Sequence, residues 1–574
     1  MQPGRVQSSM LSFVLLCLLV SLRTTSCAGR TSKHAGTDSA PSESIVTSSY
    51  YVNTFASVNL TNNIYKYIQH EELRLRIIKN FSGHEKEVPF VKQRLAEFKI
   101  IHKSLVKNVT AKRFLTSLRD NHPTTVLVAT RNFLATWDSK LANTTIYGKR
   151  LQEFLEVNKT IPFPTRKDLN LIATALSIIQ VTYNLSIIEL TKGKVLGHKG
   201  EPLSHADCYD IGKVVLNLGL LDAALQWLEV SVKNYSLDKL NSSRLTFNFS
   251  DALASIARIV FQKHDKTRAL KLFEKANELD PDNLILYQEY VKHRFGRNVE
   301  ALYELQIHDI EPWRKKFYNM CLNSTNTTLL SQQRAQLPKL KCRLRSSKSI
   351  PYMVYKEEIL SKSPYISLIF DVVTDSEVKR LKNDTLHKLK QVPLPGFDRY
   401  DVWHYKAGYF KDTYSNSVRQ LSLRAGDVTG LNVEQNNEHH FLGEPVHVFD
   451  FGIAGLMLPH SELRMNYNER YGGKYRGNRF ATLHIYLSDV TAGGATVFTE
   501  QNITIVPQKG MAVLWYNYKP SGEPETNMLS ATCPLAAGEN IVVEKGIWLP
   551  PNEATAFCGR SSKSTFVTAH RLQA

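Results

Sequence analysis

Apolar positions along the chain follow two rhythms, and the change between them divides it. From about 45 to 190 the recurrence is helical: Val91, Leu95, Phe98, Ile101 and Leu105 fall at steps of three and four, and Ile64, Ile68, Leu75 and Ile78 do so less strictly. Such stripes predict amphipathic helices that meet as a short coiled coil, forming a dimer seam, or as an ordinary intramolecular bundle. The run 169–188 carries no charge, but Asn170, Gln180, Asn184 and several Thr and Ser dilute it. It reads as a buried helix, and no segment reads as membrane-spanning.

From about 204 to 290 the helical pattern acquires a repeat. Ile211, Gly212, Gly219, Ala224, Leu228 and Ser231 fall at the signature positions of a tetratricopeptide unit, and Ile256, Ala257, Ala269, Phe273, Ala276 and Pro281 mark a second. Small residues at these points let paired helices approach closely. Stacked pairs form a concave surface, which predicts a groove for an extended peptide, with a plain spacer as the alternative. After Cys342 the texture changes. Short runs rich in β-branched and aromatic residues, at 365–370, 446–451, 480–487, 504–506, 511–516 and 541–543, are separated by Gly, Pro, Asn and Asp. Many short strands in about 200 residues predict a sandwich or jelly roll.

Composition fits this multi-domain α + β picture. With 574 residues, 43% hydrophobic and 22% charged, the chain exceeds one core and matches neither disordered nor multi-span membrane classes. Lys and Arg number 72 against 53 Asp and Glu, a net charge of +19. They are scattered without a block of like charge, so the surplus is a diffuse field with no nucleic-acid stripe.

The N-terminus bears on compartment. Arg5, an apolar stretch from 11 to 22 and the small residues Ser26, Cys27 and Ala28 have the form of a signal peptide over 1–28. Thirteen N-x-S/T sequons, from Asn59 to Asn502, agree with glycosylation in the secretory pathway. Five Cys remain after residue 28. Cys321 and Cys342, and Cys533 and Cys558, are spaced as two local pairs, with Cys208 alone in helical context. Two disulfides and one buried thiol is the simplest assignment, five buried thiols the alternative.

The strongest signal is a long motif series: GNRFAT at 477–482, YLSDV at 486–490, AGGATVF at 492–498, then Pro507, KG at 509–510, AV at 512–513 and WYN at 515–517. It closely resembles the catalytic domain of the collagen prolyl 4-hydroxylase alpha subunit. HADCYDIGK at 205–213 is similar to the start of that family's peptide-substrate-binding domain, and Leu176, Gln180, Thr182, Tyr183 and Leu185 to the end of its N-terminal helical domain. The resemblance implies a helical dimerisation domain at 45–190, a tetratricopeptide-like peptide-binding domain at 204–290, and a linker with a disulfide at 291–345. A double-stranded β-helix (jelly roll) of the 2-oxoglutarate oxygenase kind would follow at 346–560. It further implies Fe(II), 2-oxoglutarate and ascorbate as cofactors, collagen-like or proline-rich peptide as substrate, the endoplasmic reticulum lumen as location, and assembly with protein disulfide isomerase and a second alpha-type subunit. The two local cysteine pairs match the family's two intrachain disulfides.

The site residues implied by the resemblance depart from it. Such an oxygenase needs two His and one carboxylate on iron and a cation for the far carboxylate of the oxoacid. His460 matches the first ligand, but Glu462 stands where Asp belongs, and its extra methylene moves the carboxylate by more than the roughly 0.5 Å such sites tolerate. Ser530 occupies the position of the second His, and a neutral hydroxyl is a poor iron ligand. Asn540 occupies the position of the cosubstrate Lys, and Thr482 is placed with the cosubstrate. Lys545, five residues on, would face the other side of a strand. For His484 and for His439 and His440 a packed or solvated ring is the expectation over a substitute ligand. In the peptide groove Tyr209 remains, while Leu216, Ser255, Arg258 and Phe261 stand at aromatic family positions. These residues predict impaired or absent hydroxylation.

Overall fold

The computed structural model describes residues 122–128, 130–131, 166–233, 248–296, 312–326, 341–347, 352–393, 403–433, 444–463 and 478–549, together with the single positions 72, 89, 92, 95, 96, 99 and 566. The expected signal peptide, Cys558, His439 and His440 lie outside these residues, as does most of the expected helical seam. The chain divides into two compact units, 1–310 with 395–401 and 311–394 with 402–574.

The first unit is built of helices. In α1 (Arg166–Thr182) the buried Leu169, Ile172, Leu176 and Ile179 form one stripe. Gln180 in that stripe accepts a hydrogen bond from Trp227 Nε1 at 2.8 Å, which satisfies a polar group that would otherwise be costly to bury. A short helix, α2 (Ile187–Thr191), and a two-strand hairpin, β1 (Lys194–Val195) with β2 (His198–Lys199), lead on. Next come α3 (His205–Asn217) and α4 (Leu221–Val232), then α5 (Phe249–Gln262) and α6 (Lys266–Leu279), then α7 (Leu284–Phe295). Ser204 and Asp207 form a reciprocal capping box on α3, and the side chains of Asn248, Asp265 and Asn283 cap α5, α6 and α7. At Gly212 the backbone of α3 lies so close to α4 that an added Cβ would meet Leu228 at 2.8 Å. Ala257, Ala269, Phe273 and Ala276 are fully buried between α5 and α6.

The second unit is a mixed α/β body with antiparallel sheets. After α8 (Pro312–Asn323), nine strands hydrogen-bond in the order β3-β4-β5-β14-β10-β17-β8-β7-β6. They are β3 (Lys341–Ser346), β4 (Val354–Lys362), β5 (Tyr365–Phe370), β6 (Lys390–Pro393), β7 (Trp403–Phe410), β8 (Val446–Phe451), β10 (Arg479–Tyr486), β14 (Ala512–Tyr516) and β17 (Asn540–Trp548). A four-stranded sheet runs β13-β12-β15-β9, from β9 (Met457–His460), β12 (Thr496–Phe498), β13 (Ile503–Ile505) and β15 (Ser530–Thr532); β11 (Val490–Gly493) pairs with β16 (Leu535–Gly538).

Alternation along β17 shows why the large sheet is buried on both faces. Ile541, Val543 and Ile547 pack with Val378 and Leu381 of α9 (Asp375–Thr385) and with Val418, Leu421 and Val428 of α10 (Asn416–Thr429). Val542 packs on the other side with Phe449, Phe451, Trp515, Phe498 and Ile503, a core that draws residues from both sheets.

The local cysteine pairing is corrected here. Cys321, in the last turn of α8, is bonded to Cys533 beside β15, 212 residues away, with Cα atoms 5.5 Å apart. Cys342 is an exposed free thiol on β3, an edge strand. With Cys533 so engaged, its expected bond to Cys558 is excluded. The β strands return to α8 through space, and spacing along the chain carries no information about that return. Cys208 is a buried free thiol on α3, and burial pushes its pKa up to about 12.

Candidate functional site

The residues singled out on β9 and β15 do come together. Antiparallel pairing sets Ser530 directly opposite His460, and Glu462 follows two residues beyond the strand end. The Nε2 of His460 faces Glu462 Oε1 at 3.2 Å and its Nδ1 faces the Leu458 carbonyl at 2.9 Å. Two acceptors on two ring nitrogens favour a doubly protonated imidazolium. Burial opposes that charge, but the Glu462 carboxylate and the Leu458 carbonyl outweigh it and raise the His460 pKa to about 9.

Glu462 is not free to act as a ligand. Its other oxygen accepts a hydrogen bond from Arg479 Nη1. That nitrogen also donates to Glu544 Oε1 at 2.7 Å, while Arg479 Nε and Nη2 donate to the two oxygens of Glu444. One buried guanidinium therefore serves three carboxylates. Burial disfavours its charge, yet the carboxylates of Glu462, Glu444 and Glu544 hold it well above its ordinary value. In turn Glu544, although buried, is held far below the usual carboxylate range chiefly by Arg479.

Local backbone features aim these side chains. Between Arg479 and Ala481 the register against β17 shifts by one residue. This bulge turns Arg479 to the same face as His484, where strict alternation would have sent it toward the helices. At Gly546 a Cβ would lie 2.6 Å from both Arg479 Nε and the Glu444 carboxyl, so the guanidinium and its partner rest on bare backbone. His484 Nδ1 stands 3.8 Å from Glu544 Oε2, and its Nε2 is buried without a hydrogen-bond partner.

A cavity of about 10 Å³ lies among Phe449, Phe451, His460, His484, Ser530 and Glu544, the room of a single water at most. Asn540 does not line it. Its amide donates to the Gly494 carbonyl at 3.2 Å. Thr482 is fully buried, and its hydroxyl oxygen accepts from Asn517 Nδ2 at 3.4 Å. Lys545 points to the opposite face and donates to Ser422 Oγ and the Glu444 carbonyl at 2.8 and 2.7 Å.

These residues do not fit iron and 2-oxoglutarate. The cavity offers the imidazoles of His460 and His484, a Glu462 carboxylate already paired on both oxygens and the neutral Ser530 hydroxyl, while the Asn540 amide is turned to the Gly494 carbonyl. Among the described residues no group of three or more His, Cys, Asp or Glu is arranged to hold a metal. The sequence reading missed Arg479, Glu444, Glu544 and the placement of His484. Arg479 lay inside the matched GNRFAT motif, and Glu544 shares the face of Asn540 four residues along β17. For Glu444 the sequence carried no signal.

In the first unit, the Tyr209 hydroxyl donates to Asp251, which also pairs with Lys213 at 3.0 Å. Arg258 pairs with Glu289 at 2.5 Å from α5 to α7. Ser255 is fully buried, and Phe261 packs edge-on against His293.

The chain is thus a mixed α/β protein with helical hairpins in one unit, and in the other an antiparallel double-sheet body enclosing a charged centre. Known proteins place it further. No family model matches the chain. Prolyl 4-hydroxylase subunit alpha-1 of Gallus gallus is 27% identical over 412 residues, 67% of this chain and 77% of that protein. The human alpha-1 subunit is 27% identical over 458 residues, 75% and 82%, and the Gallus gallus alpha-2 subunit 28% over 427, 70% and 77%. A solved viral collagen prolyl hydroxylase of Paramecium bursaria chlorella virus 1, with 2-oxoglutarate, is 19% identical, covering 32% of this chain and 95% of its own, at TM-score 0.25. Over two thirds to three quarters of its length the chain is similar, as a divergent relative, to prolyl 4-hydroxylase alpha subunits.

Proposed function

We propose that this chain is a prolyl 4-hydroxylase alpha-subunit-like protein of the secretory pathway in which iron- and 2-oxoglutarate-dependent hydroxylation is impaired or absent. The observation that carries this reading is Ser530 facing His460 across β9 and β15 while Glu462 is bound to Arg479. The family implies Fe(II), 2-oxoglutarate and ascorbate, but the donors present suit none of them. Losing the partner of one buried charge costs on the order of 2 to 5 kcal/mol, or roughly 30-fold to several thousandfold in binding. Here the second imidazole and the cosubstrate cation are both replaced.

The test is 2-oxoglutarate decarboxylation by the purified full chain with a (Pro-Pro-Gly)-type peptide. Negligible turnover is expected. Single reversions should restore little, and Ser530→His, Asn540→Lys and Glu462→Asp together are required, because a site acting as a unit responds non-additively. Wild-type turnover near the ordinary enzyme range of about 1 per second or more would defeat the reading.

A second reading is favoured by the helical hairpins of the first unit: a non-catalytic peptide-binding or chaperone-like subunit assembling with protein disulfide isomerase and a second alpha-type subunit in the endoplasmic reticulum lumen. In it 1–28 is a signal peptide, 45–190 a dimerisation domain, 204–290 a tetratricopeptide-like groove reached through Tyr209, 291–345 a linker, and 346–560 a jelly roll kept as scaffold. Glycosylated chain that leaves a secretory host as a stable, isomerase-free species would defeat it.

A further inference from the structure

The last described helix of the first unit has two apolar faces, and only one of them is covered. On α7 Leu286 and His293 are buried, Leu286 in a core with Leu253 and Phe273 and the His293 ring against that of Phe273. At about 100° per residue the opposite face carries Leu284, Gln288, Val291 and Phe295, spaced by four, three and four, which is the spacing of a helix–helix seam. Leu284, Ile285 and Phe295 are 65%, 71% and 71% exposed and Tyr287 is 50% exposed. With Leu279 at the end of α6, the stretch 279–295 holds five of the thirteen large apolar residues exposed among the described ones. The patch is therefore concentrated and differs from ordinary single exposed residues. A helix that ends a stack of hairpins needs a polar outer face to stay soluble, and α7 does not have one.

Charges at the two ends of this face say what covers it. Asp282 precedes α7, and Lys292 and Arg294 lie in its last turn; all three are exposed, and none of them forms an ion pair among the described residues. Arg294 lies over the Tyr290 and Phe295 rings at 5.5 and 5.4 Å and meets no carboxylate. We infer that this face of α7 docks on the same face of a second copy of the chain, antiparallel about a two-fold axis near Glu289 and Tyr290. In that arrangement Leu284 meets Phe295 of the partner subunit, and Gln288 meets Val291 of the partner subunit. The acidic end of each copy then lies beside the basic end of the other, and the two helix dipoles are opposed. A parallel mate would set like charges together. A helix of 12 residues is about 18 Å long, so the seam covers a few hundred Å² per copy, under the roughly 800 Å² per partner of a stable interface. The contact is a weak, concentration-dependent one. It is separate from the seam expected at 45–190, and neither reading of function uses it.

The experiment uses the full chain with its exposed thiol removed by Cys342→Ser and with Gln288→Cys placed on the seam, where the two-fold axis sets position 288 of each copy near that of the other. Mild oxidation at rising protein concentration should give a dimer linked through position 288, identified by non-reducing peptide mapping. Because the readout is this one bond, a dimer held elsewhere in the chain does not produce it. In sedimentation of the chain without Gln288→Cys, Leu284→Asp should weaken the concentration-dependent association roughly 30-fold or more, the scale for setting a charge against apolar groups. Leu423→Asp, on an exposed residue of the other unit, should leave it unchanged. Asp282→Lys alone should also weaken association. Asp282→Lys combined with Lys292→Asp and Arg294→Asp should restore it, since an antiparallel mate carries the same exchange, and this triple variant should not pair with wild type. All these positions are exposed, so the variants are expected to fold, with unchanged helical ellipticity as the check. A freely reactive thiol at position 288 that never cross-links, a cross-link indifferent to Leu284→Asp, or a triple variant that pairs equally well with wild type overturns the inference. A thiol at position 288 that resists labelling in a monomer would show that another segment of the chain covers the face, which overturns it as well. Hydroxylation measured on the same protein is not altered by either result, so the readings of function stand or fall separately.

Discussion

Charged side chains meet in both units of the chain, but in opposite surroundings. Between α5 and α7, Arg258 and Glu289 are 23% and 29% exposed, and between α3 and α5 Lys213 and Asp251 are 30% and 32% exposed. Around Arg479 the exposures are 4% for the guanidinium and 8%, 13% and 8% for Glu444, Glu462 and Glu544. Water screens the first set and can replace either partner. In the second set all three carboxylates share one cation, with His460 as a further partner of Glu462. The same residue types therefore act as adjustable surface contacts in one unit and as an irreplaceable internal ion in the other.

The sharpest way to break this contrast is to remove the cation. Arg479→Ala, in buffer free of divalent ions, takes the shared cation from three buried carboxylates, leaving Glu444 unpaired by it and Glu462 with His460 alone, and should cost the β unit about 3 to 5 kcal/mol. Urea unfolding followed by Trp515 fluorescence would read this as a lower midpoint for that unit, with helical ellipticity of the first unit lost at its unchanged midpoint. A loss under about 1 kcal/mol would show that the cluster is solvated after all.

A less drastic change keeps every charge and disturbs only the seat. Gly546→Ala places a methyl group 2.6 Å from Arg479 Nε and the Glu444 carboxyl, and forced overpacking of this kind costs about 1 to 3 kcal/mol. Equal stability of Gly546→Ala and wild type in the same unfolding experiment would mean that the guanidinium has other places to sit.

How much of this was legible beforehand differs between the units in the same way. The short β-branched and aromatic runs at 365–370 and 446–451 coincide with β5 and β8, because strands buried on both faces must be largely apolar and the residue types report that directly. His460, Glu462 and Ser530 were singled out by resemblance alone, and it is the pairing of β9 with β15 that sets Ser530 opposite His460. The bulge at the start of β10 was not legible, since nothing in the residue types of GNRFAT says that one extra residue sits opposite β17, and it alone decides which way Arg479 points. The bond between Cys321 and Cys533 was hidden for a related reason: it joins residues 212 apart that only tertiary packing brings together.

Acidification sharpens the comparison from another side. Burial lowers the pKa of His122 in the first unit to about 4 and that of His447 on β8 to about 4. In the unfolded chain both titrate near 6.5. Their neutral, buried forms therefore contribute stability that is complete above about 6.5 and is lost as pH falls toward 4, by at most one proton each. Glu544, held far below the carboxylate range by Arg479, adds loss only as pH falls through about 4.5, whereas Asp450 on β8, whose pKa burial raises to about 6, takes up its proton first in the folded protein and adds stability as pH falls from about 6 toward 4. The first unit should therefore soften between pH 6.5 and 4, the β unit should change less, and His447→Phe should remove the acid loss from the β unit alone. Thermal melts at intervals of half a pH unit would decide this, and an unchanged slope in His447→Phe would assign the acid sensitivity elsewhere.

The smallest effect is expected where the contrast says it should be. Arg258→Ala removes the ion pair with Glu289 on the helical surface, yet Glu289 is left able to face water and the helix retains its buried stripe of Ala254, Ala257 and Ile259. An exposed pair of this kind contributes about 0 to 1 kcal/mol and weakens with salt. Arg258→Ala should therefore shift the unfolding midpoint of the first unit only slightly at low salt and not measurably at about 1 M salt, where the Debye length is only about 3 Å. Arg479→Ala should keep most of its larger effect under the same conditions, because salt does not enter a buried cluster. If raising the salt reduced both effects in equal proportion, burial would not be what separates the two regions, and the Arg479 centre would be an ordinary solvated ion pair.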